Sequence, residues 1–287
     1  MSAAELQERP DVEIEQVERH RRLASMAFEQ VVQYLAQENF VNGHGHIHDI
    51  GQALDPHNMD PDTGFFTEAV VNHEREGFIW LNGKLRAWQD AQVHVLTHAL
   101  HYGSAVFEGM RAYDGEIFKL NEHSQRLHES AKILDFEIPF SVAEIDKACR
   151  EVVRANKLTD GYVRPIAWRG SEQMGVAAQA TKINLAIAAW DWGSYFDPAA
   201  KQNGLRLTFA HYRRPDPRTA PAKSKATGLY MICTIEKHKA ERAGYADALM
   251  LDWRGQVAEA TGANICFVKE GVLHTPNPDC CLDGITR

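Results

Sequence analysis

Apolar and polar positions along this chain follow two periods, one typical of β-strands and the other of α-helices. Between residues 77 and 189, short apolar runs predict strands around two amphipathic helices, which we place at residues 122–136 and 142–156. From residue 204 onward, further short strands surround one helix that begins just after Lys225 and ends at Gly244. This arrangement predicts an α+β fold. The predicted strands cover residues 78–81, 115–118, 162–168, 183–189, 205–210, 248–252 and 256–259, with a hairpin at residues 265–274.

The same pattern divides the chain into four parts. Residues 77–189 form a small α+β domain, and residues 204–287 belong to a larger second domain. The segment between them, residues 190–203, has the aromatic, glycine and proline content of a connecting loop that packs near a site. Residues 1–76 form an N-terminal extension of unknown role, with an amphipathic helix predicted from about residue 11 to residue 38.

Composition narrows the class of protein. Of the 287 residues, 44% are hydrophobic and 24% are charged, which is ordinary for a globular protein. The formal net charge of -8 argues against a nucleic-acid-binding protein, which normally carries a basic patch. The chain shows neither a basic-then-apolar leader nor an apolar run long enough to span a membrane. We therefore expect a cytoplasmic protein without nucleic-acid or membrane partners.

Two groups of residues raise the question of a metal site. The five cysteines include the vicinal pair Cys280 and Cys281 but no Cys-x-x-Cys set, which favours reduced thiols without assigned chemistry. Within residues 44–48, alternate histidines would share one strand face and could bind zinc, copper or nickel. No carboxylate or cysteine lies at ligand spacing, so a flexible extension explains this segment more simply and we predict no metal site.

Lys225 lies between small residues just before the last predicted helix. A position near a helix N-terminus disfavours a second positive charge and lowers the pKa of an amine. A lysine that loses its proton readily can attack a carbonyl and form a Schiff base. A solvated loop lysine fits the same pattern, so the residue by itself leaves both interpretations open. The helix is predicted from apolar residues at Leu229, Ile232, Cys233 and Ile235.

Other short sequence segments favour the Schiff-base interpretation of Lys225. Together with the Lys225 segment, they resemble the branched-chain aminotransferases, a branch of the fold-type IV pyridoxal-phosphate enzymes. The segments occur in the family's order along the chain. They cover residues 78–83, 98–103, 106–109, 125–128, 162–165, 222–230, 257–264 and 284–287. The resemblance implies a two-domain α+β fold with pyridoxal 5'-phosphate bound between a small N-terminal and a larger C-terminal domain.

The resemblance also implies roles for individual residues. Lys225 would hold the cofactor as an internal aldimine and move the proton between substrate and cofactor, and Glu259 would pair with the pyridine nitrogen. Tyr230 would hydrogen-bond the phenolic oxygen. Arg126 would bind the phosphate together with the backbone of Ile285 and Thr286. Simpler alternatives remain: Glu259 as a solvated strand residue, Tyr230 as a core aromatic, and Arg126 as a surface cation paired with Glu129 at i,i+3.

The substrate pocket is implied by five further matches. Such a pocket must accept both an aliphatic side chain and the second carboxylate of glutamate, which suits aromatic walls combined with an arginine. Tyr162 and Arg164 fall on the same strand face by the two-residue period, so they can project into one cavity. The five positions are Tyr102, Phe107, Tyr162, Arg164 and Tyr195.

The resemblance implies transamination of leucine, isoleucine and valine with 2-oxoglutarate by a homo-oligomer that is at least dimeric. The family continues beyond the position of Arg287 with a turn that completes the phosphate site. We therefore expect the second domain to be incomplete and the N-terminal extension to have no counterpart. The alternatives are an inactive truncated fragment or non-catalytic remnant, and a D-amino acid aminotransferase or aminodeoxychorismate lyase of the same superfamily. A pocket of this kind can change specificity with one or two residues.

Overall fold

The first part of the chain forms a seven-stranded antiparallel sheet in the computed structural model, which describes residues 75–192 and 204–287. The strands are β1 (Phe78–Leu81), β2 (Lys84–Ala87), β3 (Ala105–Phe107), β4 (Met110–Tyr113), β5 (Glu116–Ile117), β6 (Gly161–Arg169) and β7 (Ile183–Trp190). Their order in the sheet is β2-β1-β7-β6-β4-β5, and β3 also pairs with β6. The long central strands β6 and β7 pair over eight residues.

Two helices cover one face of this sheet. They are α2 (Leu120–Ile133) and α3 (Val142–Ala155), and a short helix α1 (His98–Tyr102) precedes β3. Ser141 and Glu144 form a capping box that fixes the start of α3. The core between helices and sheet includes Leu127, Ile145, Val152, Val163, Leu185 and Ile187, all fully buried. Because side chains alternate along β6, burying Val163 against the helices places Tyr162 and Arg164 on the opposite face.

The second part of the chain contains a three-stranded sheet, one helix and a hairpin. β8 (Leu207–Phe209) pairs in parallel with β9 (Asp247–Leu251), and β10 (Val257–Ala260) pairs antiparallel with β9 on its other side. Helix α4 (Met231–Arg242) connects β8 to β9, preceded by a 3-10 turn at Thr227–Leu229. β11 (Phe267–Lys269) and β12 (Val272–His274) form the hairpin.

These elements confirm the predicted α+β fold and correct several details. β2, β3, β4 and α1 were not predicted, and α2 begins at Leu120 and ends at Ile133. The apolar face predicted for α4 is right in part: Cys233 is buried, but Ile235 is exposed while Glu236 is buried. Glu236 Oε2 accepts a hydrogen bond from the His211 backbone at 2.7 Å, and Glu236 Oε1 lies 2.8 Å from Lys239 Nζ. Tertiary partners therefore place a carboxylate where the helical period alone favours an apolar residue.

Some predictions lie outside the described residues: the helix at residues 11–38, the histidines of residues 44–48, and most of the 190–203 loop, including Tyr195. All five cysteines are free thiols, and Cys266 is the exposed one. Within residues 75–192 and 204–287, we find no helix with the length and apolar character needed to cross a bilayer.

Candidate active site

The backbone of Lys225 is held between the two parts of the chain. Its amide donates to Ser130 Oγ at 2.9 Å, and its carbonyl accepts from the amide of Phe107 at 3.1 Å. Ser224 Oγ donates to the carbonyl of Ser130 at 3.0 Å. Ala226 then forms a bridge with Val106 of β3. The lysine is thus fixed by α2 on one side and by the β3 edge on the other.

The amine of Lys225 is buried among aromatic rings. Its Nζ lies 2.9 Å from Tyr230 Oη, 4.9 Å from the centre of the Phe107 ring and 5.2 Å from that of Tyr230. Burial lowers the pKa of Lys225 from 10.5 to about 8. The positive charges of Arg126 and Arg164 also lower this pKa, whereas the carboxylates of Glu108 and Glu259 raise it.

The cause of this low pKa differs from the one predicted from the sequence. Helix α4 begins only at Met231, six residues after the lysine. A macrodipole acts within about one turn of its helix end, so Lys225 lies too far from α4 for a direct effect. Burial and two neighbouring arginines account for the depressed pKa instead.

Glu259 lies on β10 and is buried, which excludes the alternative of a solvated strand residue. Its Oε1 is 3.0 Å from Arg214 Nε, but the N–H is not aligned with that oxygen, so the contact is an ion pair without a hydrogen bond. Burial raises the pKa of Glu259 to about 7, while Arg214 and Lys225 act to lower it. Burial therefore opposes ionisation of Glu259, and the two neighbouring cations favour it.

Arg126 is bound to a buried carboxylate on the neighbouring strand end. Its Nε lies 2.6 Å from Glu108 Oε1, and its Nη2 lies 2.9 Å from Glu108 Oε2. His123 Nδ1 lies 2.6 Å from the same Oε2. The carboxylate partner of Arg126 is thus Glu108, and the alternative surface pair with Glu129 is not formed.

The third nitrogen of Arg126 connects it to the end of the chain. Nη1 donates to the carbonyl of Asp283 at 2.9 Å, two residues before Ile285. Asn264 Nδ2 donates to the carbonyl of Leu282 at 3.1 Å, and a Cβ on Gly284 would overlap the Asn264 side chain. The structure therefore brings Arg126 and the Ile285–Thr286 turn, all predicted to bind one phosphate, into the same region.

Aromatic side chains and Arg164 line the space beside the lysine. The Arg164 guanidinium lies 4.7 Å from the Phe107 ring centre, and its Nη2 donates to Tyr162 Oη at 2.8 Å. The Phe107 and Tyr230 rings meet edge to face at 4.8 Å. The Tyr162 ring packs against Trp192 at 4.7 Å. Arg164 Nε is buried and has no hydrogen-bond partner among the described residues.

Tyr102 is not brought into this cluster. Its ring stacks on His98 at 4.5 Å, and it lines a separate cavity of about 340 Å³ together with Ser104 and Arg169. With 48% of its surface exposed, Tyr102 is open to solvent in this single chain. The other described members of the predicted pocket, Phe107, Tyr162 and Arg164, do lie together.

Several residues of the site were not assigned a role from the sequence: Ser130, His123, Arg214, Glu108 and Trp192. Glu108 lies inside the family-like segment at residues 106–109, and Trp192 lies in the predicted connecting loop, so the sequence pointed to the neighbourhood of both residues. No sequence feature pointed to a role for Ser130, His123 or Arg214, because their partners are distant along the chain.

Comparison with known proteins gives concordant matches. Residues 105–287 match the family described as "Amino-transferase class IV". The branched-chain-amino-acid aminotransferase of Pseudomonas aeruginosa is 43% identical over 218 residues, covering 75% of this chain and 71% of that protein. That of Escherichia coli K12 is 41% identical over 220 residues, with coverages of 75% and 71%.

Solved structures agree with these sequence matches. The crystal structure of the Escherichia coli branched-chain amino acid aminotransferase matches with a TM-score of 0.70 at 40% identity, covering 74% of this chain and 72% of that one. The T.th. branched-chain amino acid aminotransferase with pyridoxamine 5'-phosphate matches with a TM-score of 0.71 at 40% identity, with coverages of 74% and 71%.

Proposed function

The chain belongs to the class IV aminotransferases, and from that premise we propose that it exchanges the amino group between branched-chain L-amino acids and 2-oxoglutarate. The amino acids are leucine, isoleucine and valine, and the cofactor is pyridoxal 5'-phosphate. The observation that carries the proposal is the buried amine of Lys225, which lies beside Tyr230 and whose pKa responds to two carboxylates and two arginines.

The residues present fit this cofactor. Lys225 would hold its aldehyde carbon, Glu259 its ring nitrogen and Tyr230 its phenolic oxygen. Arg126 would bind its phosphate with the backbone of Ile285 and Thr286. Arg126 uses three of its five N–H groups within the protein, so two remain for an anion. When bound, the cofactor supplies an electron sink for the substrate carbanion.

Lys225 is suited to move the proton at the substrate Cα. With a pKa of about 8, roughly one amine in ten is free base at pH 7, against roughly one in three thousand at the ordinary pKa of 10.5. A base whose pKa lies near the working pH transfers protons efficiently in both directions. Tyr230 Oη, 2.9 Å from Nζ, would orient the amine during that transfer.

Glu259 would hold the proton on the ring nitrogen. Arg214, 3.0 Å from Glu259 Oε1, stabilises the ionised carboxylate against the effect of burial. A carboxylate at this position favours a protonated ring, which accepts electrons better than a neutral one.

The pocket would accept two unlike side chains. The rings of Phe107, Tyr162 and Tyr230 offer apolar contact to an aliphatic side chain. The Arg164 guanidinium, whose Nη2 donates to Tyr162 Oη, offers charge-assisted hydrogen bonds from its terminal N–H groups to the second carboxylate of glutamate or 2-oxoglutarate. We propose that Tyr195 belongs to the same pocket.

We further propose that the chain works as a homo-oligomer in the cytoplasm, with residues 77–189 and 204–287 as its two domains. Tyr102 faces solvent, and nearby Leu100 and Val176 are exposed apolar residues that a second copy could cover. Free thiols at all five cysteines agree with a reducing compartment. Light scattering of the purified chain would detect the oligomer, and a monomeric mass would contradict it.

The function is tested by the visible absorption spectrum of the full chain with pyridoxal 5'-phosphate, followed by L-leucine and then 2-oxoglutarate. We expect a cofactor band that L-leucine shifts and 2-oxoglutarate restores. Lys225→Ala should abolish the band, whereas Lys223→Ala, an exposed lysine two residues earlier, should retain it. A response to D-alanine with none to L-leucine would contradict the substrate class, and an unchanged band in Lys225→Ala would contradict the role of the lysine.

A further inference from the structure

Glu108 is a fully buried carboxylate that directly follows the pocket residue Phe107. Three side-chain donors reach it: Arg126 Nε at 2.6 Å, Arg126 Nη2 at 2.9 Å and His123 Nδ1 at 2.6 Å. The backbone amide of Gly109 approaches Oε2 at 3.3 Å. A carboxylate surrounded in this way has one fixed orientation, because any rotation would break several charge-assisted bonds.

One face of helix α2 connects this carboxylate to the lysine. His123, Arg126 and Ser130 stand at positions i, i+3 and i+7 of α2, which place them on one side of a helix. The first two bind Glu108, and the third binds the backbone of Lys225. Glu108 and the lysine segment therefore share a single rigid support.

The contacts with Glu108 also decide which way Arg126 faces. Glu108 takes the Nε edge of the guanidinium, and the carbonyl of Asp283 takes one N–H of Nη1. The two remaining N–H groups belong to the two terminal nitrogens, and they are the donors left for an oxyanion.

We propose that Glu108 is a positioning residue of the phosphate site, which orients Arg126 toward the cofactor phosphate and places a fixed negative charge near Lys225. This inference rests on the proposed function. Glu108 has a second effect, because a carboxylate near Lys225 favours the protonated form of the lysine amine.

The electrostatics agree with this assignment. Burial acts to raise the pKa of Glu108, but hydrogen bonds from His123 and Arg126 and the charge of Arg126 lower it below its usual range. Glu108 therefore stays ionised at neutral pH. Around Lys225, its charge and that of Glu259 oppose those of Arg126 and Arg164.

The test compares binding of pyridoxal 5'-phosphate and pyridoxal, which lacks the phosphate, to the full chain and to Glu108→Gln. Both ligands can react with Lys225, but only the first uses Arg126. We expect the preference for the phosphorylated ligand to fall by about tenfold or more in Glu108→Gln, because one charge-assisted contact is of this size.

The pH midpoint for capture of pyridoxal by Lys225 should move to lower pH. The matched control is Glu122→Gln, which removes an exposed carboxylate of α2 that pairs with Lys119.

Each outcome bears on the proposal. An unchanged preference in Glu108→Gln, or an equal loss of both ligands, would overturn it. If Glu108→Gln does not fold, Glu108→Asp keeps the charge on a shorter stem, and its preference should still fall several-fold while an unchanged preference again overturns the assignment. A wild-type chain that binds neither ligand through Lys225 would instead refute the proposed function.

Discussion

The buried amine of Lys225 should destabilise the folded, cofactor-free chain. The pKa falls from 10.5 to about 8, and each pKa unit is worth about 1.4 kcal/mol, so holding the protonated amine costs about 3 kcal/mol. Lys225→Met keeps an apolar stem of similar length but loses the hydrogen bond to Tyr230, which is worth about 1 kcal/mol. We expect the variant to gain about 2 kcal/mol of unfolding free energy at pH 7.

The gain has a defined pH dependence. Below pH 8 the lysine is protonated in both the folded and unfolded chains, so the full cost is present. Between pH 8 and 10.5 the folded chain releases the proton while the unfolded chain keeps it, so the stability of the wild type rises with pH. The advantage of Lys225→Met should therefore shrink by about 2 kcal/mol between pH 7 and pH 9.5.

This difference is measured by urea unfolding of the cofactor-free chain at pH 7 and at pH 9.5, with tryptophan fluorescence as the probe of unfolding. Lys223→Met is the control, because that lysine is exposed and loses only a hydrogen bond to the carbonyl of Pro278, which is worth about 1 kcal/mol or less. The reasoning fails if Lys225→Met is less stable than the wild type at pH 7, or if its gain is the same at pH 9.5.

Two further substitutions test the pocket. Gly109→Ala would place a Cβ 2.8 Å from Tyr162 Cζ and overlapping its hydroxyl, so the bond from Arg164 to that hydroxyl should break. We expect the KM for 2-oxoglutarate to rise about tenfold while that for L-leucine changes less; an equal effect on both substrates would contradict this. Tyr230→Phe removes the oxygen partner of the Lys225 amine, so the pH midpoint for reaction of that amine with pyridoxal should fall below about 8. A midpoint that stays or rises would contradict the assigned contact.

Local pattern predicted those parts of the site that depend on one element. The two-residue period of β6 placed Tyr162 and Arg164 on one face, and the structure places both beside Phe107. Most predicted strands among the described residues were found within a few positions, because a strand buried on one face must alternate.

Parts of the site that join distant segments could not be predicted in the same way. Arg126 fits a surface pair with Glu129 as well as any other role, until β3 brings Glu108 against α2. Arg214 meets Glu259 only because α4 and β9, which lie between them in the chain, fold the segment after β8 back against β10. Residue spacing carries no information on which of many possible partners a charged side chain will meet in the folded chain.

The hydrogen bond between Ser130 and Lys225 also determines when the site can form during protein synthesis. These residues are 95 positions apart, and Thr227 bonds to the carbonyl of Gly103 across 124 positions. At typical elongation rates of about 5–20 residues per second, α2 would wait about 5–20 s for the lysine segment to be made. During that interval the Ser130 hydroxyl, the β3 edge and Arg126 lack their later partners. A nascent chain at this stage offers an unpaired strand edge to solvent, and unpaired edges make incompletely folded chains prone to aggregate.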